Sequence, residues 1–161
     1  MKTLKPFSAV YLLNLKSFYL FLFISCLVTR ILTSIDYLED IDSMRFALSL
    51  FDYNISELRP HFPGYPIFCF FAKIIYSLIG SVQLTFSVIG GISTFIIIIY
   101  SNLIFEMIIK KRSLFLSALI FINPFIWNLG NRYMSDLLGL SFLIMSTYYL
   151  LSGFNLKQKE K

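Results

Sequence analysis

Three short stretches of this chain carry the side chains able to do chemistry. One is Asp42-Ser43-Met44-Arg45, preceded by Asp36, Glu39 and Asp40. The second, residues 58–68, holds Arg59, three of the five prolines (Pro60, Pro63, Pro66) and the sole histidine, His61. The third runs from Gly130 to Asp136 and includes Arg132. The prolines predict a rigid, extended turn, because each fixes its own φ and biases its predecessor away from helix. Pro66 suits the first position of a helix. The turn then delivers a guanidinium and an imidazole to a helix start, whose unpaired N–H groups favour anions. At a membrane surface that combination suits a lipid phosphate; it equally suits a rigid loop that staples the next helix.

The elements around these stretches follow from hydropathy. The 161 residues are 57% hydrophobic and 14% charged, with mean hydropathy +0.74. So few polar side chains cannot cover the apolar surface of a soluble fold, and an all-α polytopic membrane protein is expected. The net charge of +5 forms no basic stripe with interleaved aromatics, so nucleic acid is not an expected partner. Cys26 and Cys69 both lie in apolar runs and read as buried thiols rather than a disulfide. The first apolar run lacks a small-residue cleavage site and reads as an uncleaved signal-anchor.

Four spans are expected, at about 17–35, 83–109, 114–129 and 137–153. An outer loop occupies 36–82, and a basic tail 154–161. Nineteen residues at about 1.5 Å each approach the thickness of a bilayer core. Arg30, near the end of the first span, is expected to snorkel toward headgroups. Residues 66–80 hold about 14 apolar positions around Lys73, too short to cross, and are expected to lie along the interface. Within the loop, Met44, Ala47, Leu48 and Phe51 form an i, i+3, i+4, i+7 stripe, with Asp42, Arg45, Ser49 and Asp52 opposite. That predicts an amphipathic helix whose carboxylates face water or a cavity.

Charge supports this count. With four spans, one side of the membrane holds nine of the fourteen basic residues: Lys2, Lys5, Lys16, Lys110, Lys111, Arg112, Lys157, Lys159 and Lys161. The positive-inside rule makes that side cytoplasmic, so both termini face the cytoplasm at an inner or plasma membrane. The acidic loop and the 130–136 turn then share the outer face.

The stretch from Asp42 to Phe68 resembles the first external loop of GT-C glycosyltransferases. It is most similar to the branch holding protein O-mannosyltransferases and the lipid A aminoarabinose transferase. "DSMRFA" (42–47) resembles that branch's Asp-Glu-x-Arg-Tyr-Ala motif, and "HFPGYP" (61–66) its His-Pro-Pro-x-Tyr-Pro turn. "KKR" (110–112) and "NPFIWNLGNRYMSD" (123–136) resemble its cytoplasmic basic turn and its Ser-Arg-x-x-x-x-Asp segment. Ser43 stands in place of the second motif carboxylate, and Phe62 in place of the first proline after the histidine. The resemblance runs over about 17–153 and corresponds to the N-terminal module of such an enzyme.

The resemblance implies transfer of a sugar from a polyprenyl-phosphate carrier to a lipid, glycan or protein acceptor on the outer face. It implies Asp42 as the carboxylate that takes the acceptor's proton, with Asp40 as second candidate. Arg59, His61 and Arg132 would face the lipid phosphate, with Arg45 flanking Asp42 and Asp136 orienting Arg132. No cofactor is called for, although a divalent metal is compatible with such a site, and a second chain would complete the enzyme. Two other classes fit the same residues. One is a non-catalytic small membrane protein, such as a subunit or a degenerate fragment. The other is part of a lipid-phosphate transporter, which the scarcity of polar residues in mid-span disfavours.

Overall fold

The computed structural model describes the backbone of residues 9–111 and 113–159, and the side chains of 16–111 and 113–154. Lys2, Lys5, Arg112 and Lys161 of the charge tally lie outside the described residues, as do the side chains of Lys157 and Lys159. Among the described residues there are seven α-helices and no strand. They are α1 (Ala9–Leu32), α2 (Ile41–Ser49), α3 (Pro66–Ile79), α4 (Val82–Ile109), α5 (Leu114–Phe121), α6 (Pro124–Asn131) and α7 (Asp136–Lys159). A 3-10 turn at Ile55–Glu57 and one antiparallel bridge between Asn54 and Arg59 shape the loop before α3.

Two helices are long and apolar enough to cross a membrane, Val82–Ile109 and Asp136–Phe154. The pair Leu114–Phe121 and Pro124–Asn131, bent by 52°, adds a third if it is one span. α4 is the spine: α1, α3, α5, α6 and α7 all pack on it. Two glycines make this close approach workable. A Cβ on Gly90 would sit 1.8 Å from the Gly130 carbonyl oxygen, and one on Gly91 would sit 3.1 Å from the Cys26 carbonyl oxygen. Small residues at such contacts let helix backbones approach where lipid supplies no hydrophobic drive. The same helix buries Thr85, Ser87, Ser93 and Thr94 completely, so the interior holds more hydroxyls than a hydropathy reading suggests.

The expected span at 114–129 is not continuous. Asn123 accepts from the N–H groups of Phe125 (2.9 Å) and Ile126 (3.2 Å), and Pro124 follows at the first helical position. A side-chain cap plus a proline restarts the helix as α6. α3 matches the expected short apolar helix and ends at Gly80, in the left-handed region at φ 72°. Its Ile67, Phe70 and Leu78 are exposed, an apolar surface available to lipid.

The amphipathic phase of α2 differs from expectation. Its inward face is Ser43, Phe46, Ala47, Ser49 and Leu50, while Met44, Leu48 and Phe51 are exposed. Phe46 decides this, because it anchors an aromatic cluster. Its ring lies 5.1 Å from Phe68 and 5.1 Å from Tyr65, in edge-on geometry worth more than area burial alone.

Arg30 does not snorkel. It is 1% exposed and turns inward. Nη1 donates to the Trp127 carbonyl at 2.7 Å, and Nη2 to the Ile126 carbonyl and Thr94 Oγ1, each at 3.3 Å. The guanidinium carbon lies 4.5 Å from the centre of the Trp127 ring. Carbonyls, a hydroxyl and an aromatic face substitute for headgroups, and the missing side chain of Gly130 makes room.

Candidate functional site at the loop between α1 and α4

The proline turn lies between the Asn54–Arg59 bridge and the start of α3 at Pro66. Both Arg59–Pro60 and Phe62–Pro63 are cis. Gly64 sits at φ +91°, and a Cβ there would meet Ile55 Cδ1 at 2.6 Å. Only glycine combines that φ with that proximity. The Tyr53 hydroxyl donates to the Gly64 carbonyl at 2.9 Å and ties the turn to the segment after α2.

The turn carries His61 onto α2. The His61 ring packs edge-on against Phe46 (5.3 Å) and Tyr65 (5.2 Å). Its Nδ1 lies 3.5 Å from Asp42 Oδ1, close enough for electrostatic contact but without hydrogen-bond geometry, so the buried Nδ1 has no hydrogen-bond partner. Arg45 Nη1 donates to the same Asp42 oxygen at 3.3 Å. Asp42 remains 43% exposed. A reachable carboxylate flanked by a cation and an imidazole is able to accept a proton.

The other two arginines are committed elsewhere. Arg59 pairs with Asp52 and Glu57, each at 3.2 Å, within its own loop. Arg132 reaches across 92 residues to Asp40, with Nη2 donating to Oδ2 at 2.5 Å, and its Nε donates to Glu39. Asp40 also caps α2, its Oδ1 accepting from Ser43 N–H at 2.7 Å. That N–H, reinforced by the Arg132 charge, holds the Asp40 carboxyl below its usual range. Asp40 is thus a structural joint between α2 and the 132–135 turn, and its expected role as second proton acceptor has a competing explanation in plain sight.

Asp136 is not the partner of Arg132, whose carboxylates are Glu39 and Asp40. It opens α7 and lines a separate cleft of about 410 Å³ with Tyr65, Pro66 and Ser135. The two loop segments nevertheless converge. His61 and Arg132 both engage the first turn of α2 or its cap, and the cluster below includes Phe46, Phe68, Phe86, Tyr133 and Leu138. Tyr133 stacks on Phe86 at 4.6 Å and donates its hydroxyl to the Ile35 carbonyl at 2.6 Å. Burial pushes its phenol up, and nearby Asp36 adds to this.

Sequence reasoning missed Glu39 and Tyr133. Neither carries a local signal, because each partner lies more than 90 residues away. Among the described residues no group of three His, Cys, Asp or Glu side chains is placed to hold a metal ion. No family model, curated protein or solved structure matches the chain.

Proposed function

We propose that the chain is the N-terminal module of a membrane glycosyltransferase of GT-C type, which moves a sugar from a polyprenyl-phosphate carrier to an outer-face acceptor. The observation that supports this reading is the Asp42–Arg45–His61 cluster, in which residues from two segments that resemble the family's motifs meet around one reachable carboxylate. Asp42 takes the acceptor's proton, and Arg45 and His61 stabilise the anionic carrier as it leaves. Four spans with both termini cytoplasmic complete the reading; α1, 24 residues long, and the bent α5–α6 pair supply the two beyond α4 and α7.

The test is Asp42→Asn, assayed with a polyprenyl-phosphate sugar donor in the full assembly. Transfer is expected to fall at least ~100-fold, the low end for a general base, with membrane insertion unchanged. Undiminished transfer by Asp42→Asn removes the role of this residue. Loss in Asp40→Asn alone moves the role to Asp40.

One observation favours a second reading, a non-catalytic membrane subunit. Arg59 and Arg132 are both held by carboxylates of this chain, which suits a loop fastened for structure. On that reading Asp42→Asn leaves the activity of any complex intact.

A further inference from the structure

The cleft of about 410 Å³ that Asp136 lines lies between the start of α3 and the first two turns of α7, with Tyr65, Pro66, Ser135 and Gly139 in its wall. Asp136 is the one charged residue among the described residues that line it. Its side chain is exposed and has no ion-pair or hydrogen-bond partner among the described residues. Leu138 and Phe142 line this cleft and also an apolar cavity of about 140 Å³, walled by Phe71 and Ile75 of α3 and by Ile92 and Ile96 of α4. A carboxylate thus stands at the head of an apolar furrow between three helices. Two of them, α4 and α7, are long and apolar enough to cross a membrane. From Asp136 to Phe142 the helix advances ~9 Å, and the headgroup layer on one side of a bilayer is roughly 5–8 Å deep. With the charge at headgroup level, where a carboxylate costs least, Phe142 and the apolar cavity fall at the depth of acyl chains.

We propose that this furrow binds a diacyl phospholipid whose headgroup ends in a primary ammonium, the chemistry of phosphatidylethanolamine. One acyl chain lies along Leu138 and Phe142 toward the apolar cavity. The ammonium donates to the Asp136 carboxylate, a charge-assisted hydrogen bond, and the Ser135 hydroxyl is a second acceptor. The sign of the charge excludes an anionic carrier: an unpaired carboxylate repels a headgroup that carries phosphate alone. Substitution on the nitrogen selects further. A quaternary ammonium has no N–H to donate and is held instead by open aromatic faces. Phe68 is 4% exposed, with its ring against Phe46 and Phe86, so it offers no open face to such a group. The inference is independent of the transfer reading: a subunit without catalysis satisfies it, and its occupant is a bilayer lipid that the chain does not consume.

The test uses the full chain, purified in a non-ionic detergent and stripped of lipid. It is titrated with dioleoyl phosphatidylethanolamine, its N-methyl and N,N-dimethyl forms, phosphatidylcholine and phosphatidylglycerol, all with the same chains. Bound lipid is counted by native mass spectrometry. Phosphatidylethanolamine is expected to bind roughly tenfold more tightly than phosphatidylcholine, the effect of one hydrogen bond to a charged group. Affinity is expected to fall stepwise as methyl groups replace N–H, a readout that needs no variant. Asp136→Ala, at an exposed position without a partner, is expected to erase the preference. Gly139→Leu extends a side chain into the cleft from a position whose Cβ would meet nothing within 4 Å. It is expected to weaken phosphatidylethanolamine binding at least tenfold at unchanged helix content. Binding of phosphatidylcholine or phosphatidylglycerol equal to that of phosphatidylethanolamine, a preference that survives Asp136→Ala, or binding indifferent to Gly139→Leu overturns the inference.

Discussion

At the scale of single residues, Arg30 sets an energetic constraint. A cation costs about 2.5–3.5 kcal/mol at the centre of a membrane helix; Arg30 lies in the last turn of α1, where the cost is smaller, and three hydrogen bonds and an aromatic face offset it. Truncation to alanine leaves both a void and an abandoned polar site. Arg30→Ala is expected to lose roughly 2–4 kcal/mol, read by unfolding in mixed micelles. Arg30→Met refills the volume without the charge and is expected to cost clearly less. Asp40 yields a pH expectation. Its folded pKa lies below the usual value, so its stabilisation is present above that value and drains away as pH falls through the depressed one. A melt series from pH 6 to pH 3 is expected to show a drop that Asp40→Asn removes. The sequence made the Asp42–Arg45 contact readable, since i, i+3 spacing is local. It hid the partners of Arg132, because nothing local encodes a pair 92 or 93 residues apart.

Elements were read unevenly for similar reasons. α3 was legible end to end, with Pro66 and Gly80 as its punctuation. The break at Asn123-Pro124 was also written in the sequence as a cap and a first-turn proline. Uniform hydropathy across 114–129 masked it, because hydropathy reports solvent and not backbone continuity. The phase of α2 was misread because a stripe rule counts apolar positions equally, whereas Phe46 alone meets three aromatic rings. Contact between α4 and α6 gives a sharp test. A Cβ at Gly90 collides with the Gly130 backbone, which cannot swing aside as a side chain would. Gly90→Ala is expected to cost at least ~1–3 kcal/mol by overpacking. Gly139→Ala, on α7 with nothing within 4 Å, is expected to be neutral or slightly stabilising. Melting temperatures of the two variants in one detergent check the contrast.

For the whole molecule, hydropathy correctly anticipated an all-α chain with helices fit to cross a membrane. Its orientation is testable by thiol labelling. Cys26 and Cys69 are buried, so they are expected to resist an impermeant maleimide in intact cells. Introduced cysteines at Glu57 and Asn128 are expected to label from outside, and one at Lys111 only after permeabilisation. Label at Lys111 in intact cells reverses the proposed topology.

The grip of Arg30 on α6 also bears on how the chain is made. Its principal acceptor, the Trp127 carbonyl, is encoded 97 residues downstream. On the proposed four-span reading, α1 is expected to enter the membrane carrying a charge whose partners are not yet made. It is then expected to wait at the insertion machinery or at the headgroups until α4 and α6 arrive. Release of α1 into its final seat is expected to be a late event that follows emergence of the Asn123–Asn131 segment. Nascent chains stopped before Trp127 are expected to leave α1 crosslinkable to the insertion machinery, and chains extended past α6 to lose that crosslink. Arg30→Leu is expected to abolish the delay.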